Sequence, residues 1–302
     1  MADTAVHQSV ETRAALREPG PVAAVLLLTR PGLLALVAVT GLAGMVLGTK
    51  GLPDSMTGLL CTVALSLAAA GSVMLNSVLD YPFDHRMARL RERTRALERL
   101  EPKRAVRIAV LFIAAGAGIS FLWLTPLSGL LILTASFCYL VLYTLRLKRN
   151  SPFGAIPGGI PGALPVLIGY AAVDSTIGAD GLILFLLVLL WQPPHFWTLA
   201  LRYRDEYRAA GFPVLPAIMG EEYAKMLILL YATALPPLSL ALWYFGFCSP
   251  RYGAAALLLG MLFLAASFLL VVVRSRFSAA FQATNWYLAS LLILMIGDIC
   301  LR

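Results

Sequence analysis

Asn76, Asp80 and Asp84 recur at every fourth position in the stretch NSVLDYPFDHRMARLRERTR, residues 76–95. On a helix that spacing stacks the three side chains along one face over about two turns. Carboxylates held this close repel one another unless a cation sits between them. All-oxygen donors suit Mg2+, which commonly bridges one or two carboxylates to substrate phosphates. Arg89 and Arg93 follow, again four apart, with Arg86, Arg91 and Arg95 beside them. Guanidinium groups grip phosphate oxygens in a planar fork. A metal-binding acid pair followed by a cationic clamp is what a diphosphate requires.

Other residues extend this chemistry. Lys148 and Arg149 close an apolar run beside Tyr143, the pattern of a topological anchor with an interfacial tyrosine. Asp205, with Glu206 behind it, follows another apolar run. It either supplies a carboxylate to a second Mg2+ or forms a solvated pair with Arg202 or Arg208, while neighbouring Tyr207 reads as interfacial packing. His195 follows Pro193 and Pro194 between Trp191 and Trp197 in an apolar span. It is either a satisfied bundle residue or a reactive group that titrates near neutrality. His7 and His85 lack such a setting and are expected in solvent. Pro82, between the two aspartates, predicts a kink or helix end that turns Asp84 from the shared face.

The elements that must position these groups are membrane helices. Of 302 residues, 60% are hydrophobic and 13% are charged, with a mean hydropathy of +0.81. Soluble domains carry roughly 25% charged residues. A span needs roughly 20 apolar residues, and the chain offers about nine such runs. They lie near 31–49, 56–80, 105–124, 127–145, 156–173, 181–201, 223–247, 252–273 and 281–300. The runs are continuous rather than alternating, which predicts helices and not a barrel. The expected fold is all-α: a polytopic membrane protein, a bundle of nine transmembrane helices. Residues 1–27 are expected to be a polar cytoplasmic tail and 28–302 a single intramembrane domain.

A net charge of +8 would suit nucleic acid, but its distribution points to the lipid bilayer as partner. Of the 24 Lys and Arg residues, all but Lys50, Arg251 and Arg302 fall on the side of the N-terminus when successive loops are assigned to alternate sides. The positive-inside rule then makes the N-terminus cytoplasmic and the C-terminus external. Residues 1–20 mix Asp3, Glu11 and Glu18 with Arg13 and Arg17, unlike a cleavable signal or a transit peptide. The long charged loops after the second and sixth runs place the chemistry at the cytoplasmic mouth. Cys61, Cys138, Cys248 and Cys300 have no paired spacing and read as small packing residues. The segment FGAIPGGIPGALPVLIG, residues 153–169, predicts either close helix packing or a broken helix lining a cavity.

The spacing of Asn76, Asp80 and Asp84 resembles the first acidic motif of the UbiA-type intramembrane prenyltransferases. Met87, Arg89 and Arg93 are similar to their haem O synthase branch. YTLRLKRNSPFGAIPGGIPGALPVLIGYAAV (143–173) and LWQPPHFWTLALRYRDEYRAAGFPVLPAIMG (190–220) resemble that branch's Gly/Pro-rich and Pro-His segments. The likeness runs from about Leu28 to the C-terminus, with the second stretch the more specific. Ser77, Pro82 and Leu90 depart from the usual pattern.

The resemblance implies farnesyl transfer from farnesyl diphosphate to haem b, with Mg2+ as cofactor, while the acidic N-terminal tail favours a bacterial cytoplasmic (inner) membrane. It implies a catalytic set of Asn76, Asp80, Asp84, Arg89, Arg93 and His195. The expected metal ligands are Asn76, Asp80, Asp84 and Asp205. The expected substrate contacts are Tyr143, Lys148, Arg149, Asp205 and Tyr207. His195 would meet the haem acceptor, as ligand or as proton acceptor, since haem iron takes imidazole well. Assembly factors of a terminal oxidase are the protein partners it admits. Two alternatives stand beside it: the same prenyl donor with an aromatic or chlorin acceptor, and a transporter. A transporter would place its charges near the midplane of broken helices, whereas these gather at one face.

Overall fold

A computed structural model of the protein describes residues 20–302. Among these residues the only secondary structure is helical. Eight helices are long and apolar enough to cross a membrane, and the chain is a multi-pass membrane protein. They are α2 (Pro31–Thr49), α3 (Ser55–Asp84), α5 (Pro102–Trp123), α6 (Pro126–Asn150), α8 (Ala179–Arg202), α10 (Glu221–Tyr244), α11 (Pro250–Val273) and α12 (Phe277–Cys300). The ninth expected run is the shorter helix α7 (Pro157–Val173), which begins as a 3-10 turn over Pro157–Gly159. Short helices decorate the basic end, among them α1 (Pro21–Thr29), α4 (Arg91–Leu100) and α9 (Arg204–Ala209).

The boundary expected between residues 27 and 28 lies within α1. The segment is apolar. Ala24 and Leu28 bury against Met74, Ala96, Leu97 and Leu100, pinning α1 to α3 and α4. Residues 1–19, with the acidic and basic groups expected there, lie outside the described residues.

Three local features set up the site. First, α3 has 30 residues, about 45 Å at 1.5 Å per residue, against a hydrocarbon core of about 30 Å. Its last turns carry Asn76, Asp80 and Asp84. The helix runs through Pro82 and ends at Asp84. The expected kink does not turn Asp84 away: all three residues remain buried. Second, residues Cys138–Leu147 of α6 form a π-helix, a widened turn that is frequent at functional sites. Thr144 Oγ1 donates to Tyr139 O at 2.8 Å inside it. Third, α2 and α7 cross at near backbone contact. A Cβ on Gly169 would lie 1.9 Å from Gly41 O, and one on Gly44 would lie 2.0 Å from Val166 O. The Gly/Pro-rich run thus provides close packing. The same helix also lines a cavity through Gly158, Gly159, Pro161, Gly162 and Pro165.

Candidate active site

A cavity of about 400 Å³ opens among α2, α3, α6, α7, α8 and α12. Its rim holds the charge, Arg30, Asp84, Arg89, Arg93 and Lys148, with the Asn76 amide beside them. Its depth is apolar and aromatic, with Leu36, Leu65, Ile132, Ile168, Trp191 and Leu288 among its walls. Charge at one end and hydrocarbon at the other match a ligand with an anionic head and a long apolar tail.

The acids sit beneath this rim in a closed network. Asn76 Nδ2 donates to Asp80 Oδ2 at 2.7 Å and lies 3.1 Å from Thr144 Oγ1. Lys148 Nζ reaches the same Asp80 oxygen at 2.5 Å. Arg149 donates to Leu79 O at 2.9 Å and stands 3.6 Å from Asp80 Oδ1. Asp84 is paired with Arg93 at 2.5 Å. Burial pulls the Arg93 guanidinium below its ordinary range, nearby Arg30 adds to the pull, and Asp84 opposes it. A buried charge survives only when paired in this way.

Arg89 reaches across to the loop after α8. Its Nε is 3.5 Å from Glu206 Oε2, and its guanidinium lies over the rings of Tyr203 at 4.6 Å and Tyr207 at 5.0 Å. Such cation–π contacts hold a guanidinium plane in place. Burial pushes the Tyr207 phenol up, and Arg89 draws it partly back. Tyr207 is thus a buried cavity wall rather than an interfacial residue.

Asp80 itself is fully buried and does not border the cavity. It meets the opening through Asn76 and Lys148, which do. Its Oδ1 is a buried oxygen without a hydrogen-bond partner. An orphaned carboxylate oxygen, a second carboxylate one turn on and an amide oxygen one turn back are hard oxygen donors that fit Mg2+. Asp205 does not join them. Its side chain is 83% exposed and pairs with Arg204 at 3.7 Å and Arg208 at 3.6 Å. The six-residue helix α9 can turn only one of two adjacent acids inward, and that acid is Glu206. Among the described residues no group of three or more His, Cys, Asp or Glu gathers as a metal cluster.

His195 lines the apolar part of the cavity. It stacks on Trp191 at 4.3 Å and on Phe281 at 4.5 Å, and its Nδ1 is 2.8 Å from Thr284 Oγ1. His85 is exposed, with Nδ1 3.1 Å from Tyr81 O. His7 is outside the described residues.

Several residues at or beside the cavity escaped the sequence reading. Arg30 sits between α1 and α2 at φ +52°, a left-handed conformation costing a non-glycine residue about 1–2 kcal/mol. Its Nε is buried without a hydrogen-bond partner. A lone arginine before the proline that starts the first span was the available signal. Thr144, Phe212 and Thr284 carried none, because their roles depend on partners distant in the chain. Lys148 Nζ, for instance, lies 4.5 Å from the centre of the Phe212 ring.

A helical bundle that surrounds an apolar chamber beneath a rim of paired acids and cations defines a class of intramembrane protein handling amphiphilic anions. Residues 37–292 match the model of the UbiA prenyltransferase family, and the chain belongs to that family. It is 50% identical over 258 residues to a protohaem IX farnesyltransferase of Geotalea uraniireducens, covering 85% of this chain and all of the relative. It is 39% identical to the protohaem IX farnesyltransferase of Aquifex aeolicus, covering 79% of this chain and 82% of the relative. Among solved structures, a digeranylgeranylglyceryl phosphate synthase superposes with a TM-score of 0.76 at 17% identity, covering 93% of this chain and 99% of that one. A UbiA homologue from Archaeoglobus fulgidus bound to DMAPP and Mg2+ superposes with a TM-score of 0.65 at 14% identity, covering 91% and 98%. These two likenesses establish the fold.

Proposed function

We propose that the chain transfers the farnesyl group of farnesyl diphosphate to a vinyl carbon of haem b, in a bacterial inner membrane with the basic rim toward the cytoplasm. The observation that carries the reading is the union, in one cavity, of a cationic rim with an apolar chamber containing His195. The relatives named protohaem IX farnesyltransferase support the choice of donor and acceptor.

Arg30, Arg89, Arg93 and Lys148 bind the diphosphate and neutralise it as it leaves. Fixed positive charge aimed at developing negative charge is usually the largest catalytic contribution. Mg2+, held by Asn76, Asp80 and Asp84, would add further charge neutralisation at the diphosphate oxygens. Asp80 and Asp84 also orient Lys148 and Arg93 through their ion pairs. The allylic C–O bond breaks, its electron pair leaves with diphosphate, and the apolar walls keep water from the farnesyl cation until the vinyl carbon attacks. The new C–C bond leaves a cation beside the porphyrin. One water molecule captures it and loses a proton, giving a hydroxyethylfarnesyl side chain. The product passes to a terminal oxidase, whose assembly factors are the protein partners of this reading.

Incubating purified protein with haem b, farnesyl diphosphate and Mg2+ should yield the farnesylated, hydrated haem by mass spectrometry. Unchanged haem together with prenylation of an aromatic acceptor would replace this reading with the other prenyltransferase one.

A further inference from the structure

His195 can make three kinds of contact, and the structure has already used two. Both ring faces are covered, by Trp191 at 22° between planes and by Phe281 at 31°. One ring edge, Nδ1, meets Thr284 Oγ1 at 2.8 Å. What remains is the Nε2 edge, on a residue that borders the cavity. Among the described residues Nε2 has no hydrogen-bond partner, and it is not among the buried polar atoms that lack one. It therefore faces open space.

The tautomer follows from Thr284. Its hydroxyl lies 2.7 Å from Phe281 O, and a carbonyl only accepts, so the single hydroxyl hydrogen points there. Toward His195 the hydroxyl can only accept. Nδ1 must then carry the proton, which leaves an unprotonated lone pair on Nε2. The threonine is itself fixed: its backbone carbonyl accepts from Trp191 Nε1 at 2.7 Å. Trp191 thus holds the threonine through a hydrogen bond and the histidine by stacking. An Nδ1–H donated to protein with Nε2 left free is the arrangement of an imidazole that ligates a metal, since the second-shell acceptor sets both tautomer and ring orientation.

We infer that Thr284 is a positioning residue that locks His195 as an Nε2 donor, and that this nitrogen is an axial ligand to the iron of a haem entering the cavity. The inference rests on the haem-acceptor reading above and deepens it: the acceptor is held by its metal rather than by its ring edge. Axial ligation fixes the iron and leaves only rotation in the porphyrin plane, so the vinyl groups are brought to a constant height beneath the cationic rim. It also fits an apolar chamber, where no charged side chain is needed to hold the ring.

The test titrates ferrous haem b into the full-length protein in lipid nanodiscs without farnesyl diphosphate. Resonance Raman reads the iron–imidazole stretch, and absorbance reads the affinity. Wild type should show the stretch. His195→Gly should lose it, and added imidazole should restore it, which also shows that the variant is folded. Thr284→Val, similar in size but lacking the acceptor oxygen, should weaken haem binding by roughly tenfold to a hundredfold and shift the stretch. Thr284→Ser should restore both. An unchanged stretch in His195→Gly, or Thr284→Val indistinguishable from wild type, overturns the inference. The same samples given farnesyl diphosphate and Mg2+ separate the two claims. Farnesylated haem from a wild type that shows no iron–imidazole stretch sinks the ligand and spares the reaction. A clear stretch with no farnesylated haem does the reverse.

Discussion

Lys148 Nζ rests 2.5 Å from Asp80 Oδ2, joining helices α6 and α3 across a separation of 68 residues. The carboxylate is fully buried, and the lysine is the group that carries its charge to the cavity wall. The two residues are therefore one functional unit: without Asp80 the lysine loses its ion-pair partner, and without Lys148 the carboxylate keeps only Asn76 and the more distant Arg149. Breaking a buried pair in this way costs about 3–5 kcal/mol.

Asp80→Asn keeps the shape of the side chain and removes its charge. Farnesyl transfer should fall by about a hundredfold or more, while the protein still folds with a lowered melting temperature. Asp80→Ala should abolish turnover outright. Activity within twofold of wild type in either variant would refute the role of this carboxylate.

Chelation should stop transfer, and added Mg2+ should restore it. The chelated protein should nevertheless keep its melting temperature, because Lys148 and Arg93 neutralise Asp80 and Asp84 without a metal. A large drop on chelation, followed by thermal melting, would mean that the acids depend on the ion for folding.

Asp205 and Glu206 are adjacent in sequence and opposite in placement. Asp205→Asn should change kcat/KM by less than about threefold, as expected of an exposed surface pair. Glu206→Gln should lower it more, by about fivefold, since Arg89 loses its charged partner and a partly exposed ion pair is worth at most about 1 kcal/mol. The reverse ranking would place the second acid at Asp205.

Gly169→Ala tests the crossing of α2 and α7. Its Cβ would meet the backbone of Gly41, which cannot swing aside as a side chain can. Overpacking of this kind costs about 1–3 kcal/mol, so the melting temperature should drop. Gly118→Ala, whose Cβ meets nothing within 4 Å, should leave it unchanged.

Much of this protein was legible along the chain because a bilayer imposes one-dimensional rules. Apolar run length fixes the spans, and the run 31–49 coincides with Pro31–Thr49. A spacing of four fixes a helical face, so Asn76, Asp80 and Asp84 could be grouped before their surroundings were known. Arg89 and Arg93 likewise met the cavity that their neighbourhood implied. The sequence left two readings open where their local cost is nearly equal. Pro82 lies in the last turn, where one lost backbone bond is tolerated, and α3 continues to Asp84. Of two neighbouring acids on a short helix, the turn selects Glu206, which no propensity could announce. Only the tertiary structure decided which cation serves which acid, that Arg30 and Phe212 belong to the site, and that Thr284 sets the proton on His195. Each of those depends on two segments far apart in the chain meeting within a few ångströms, and local sequence holds no record of a distance between residues that do not share an element.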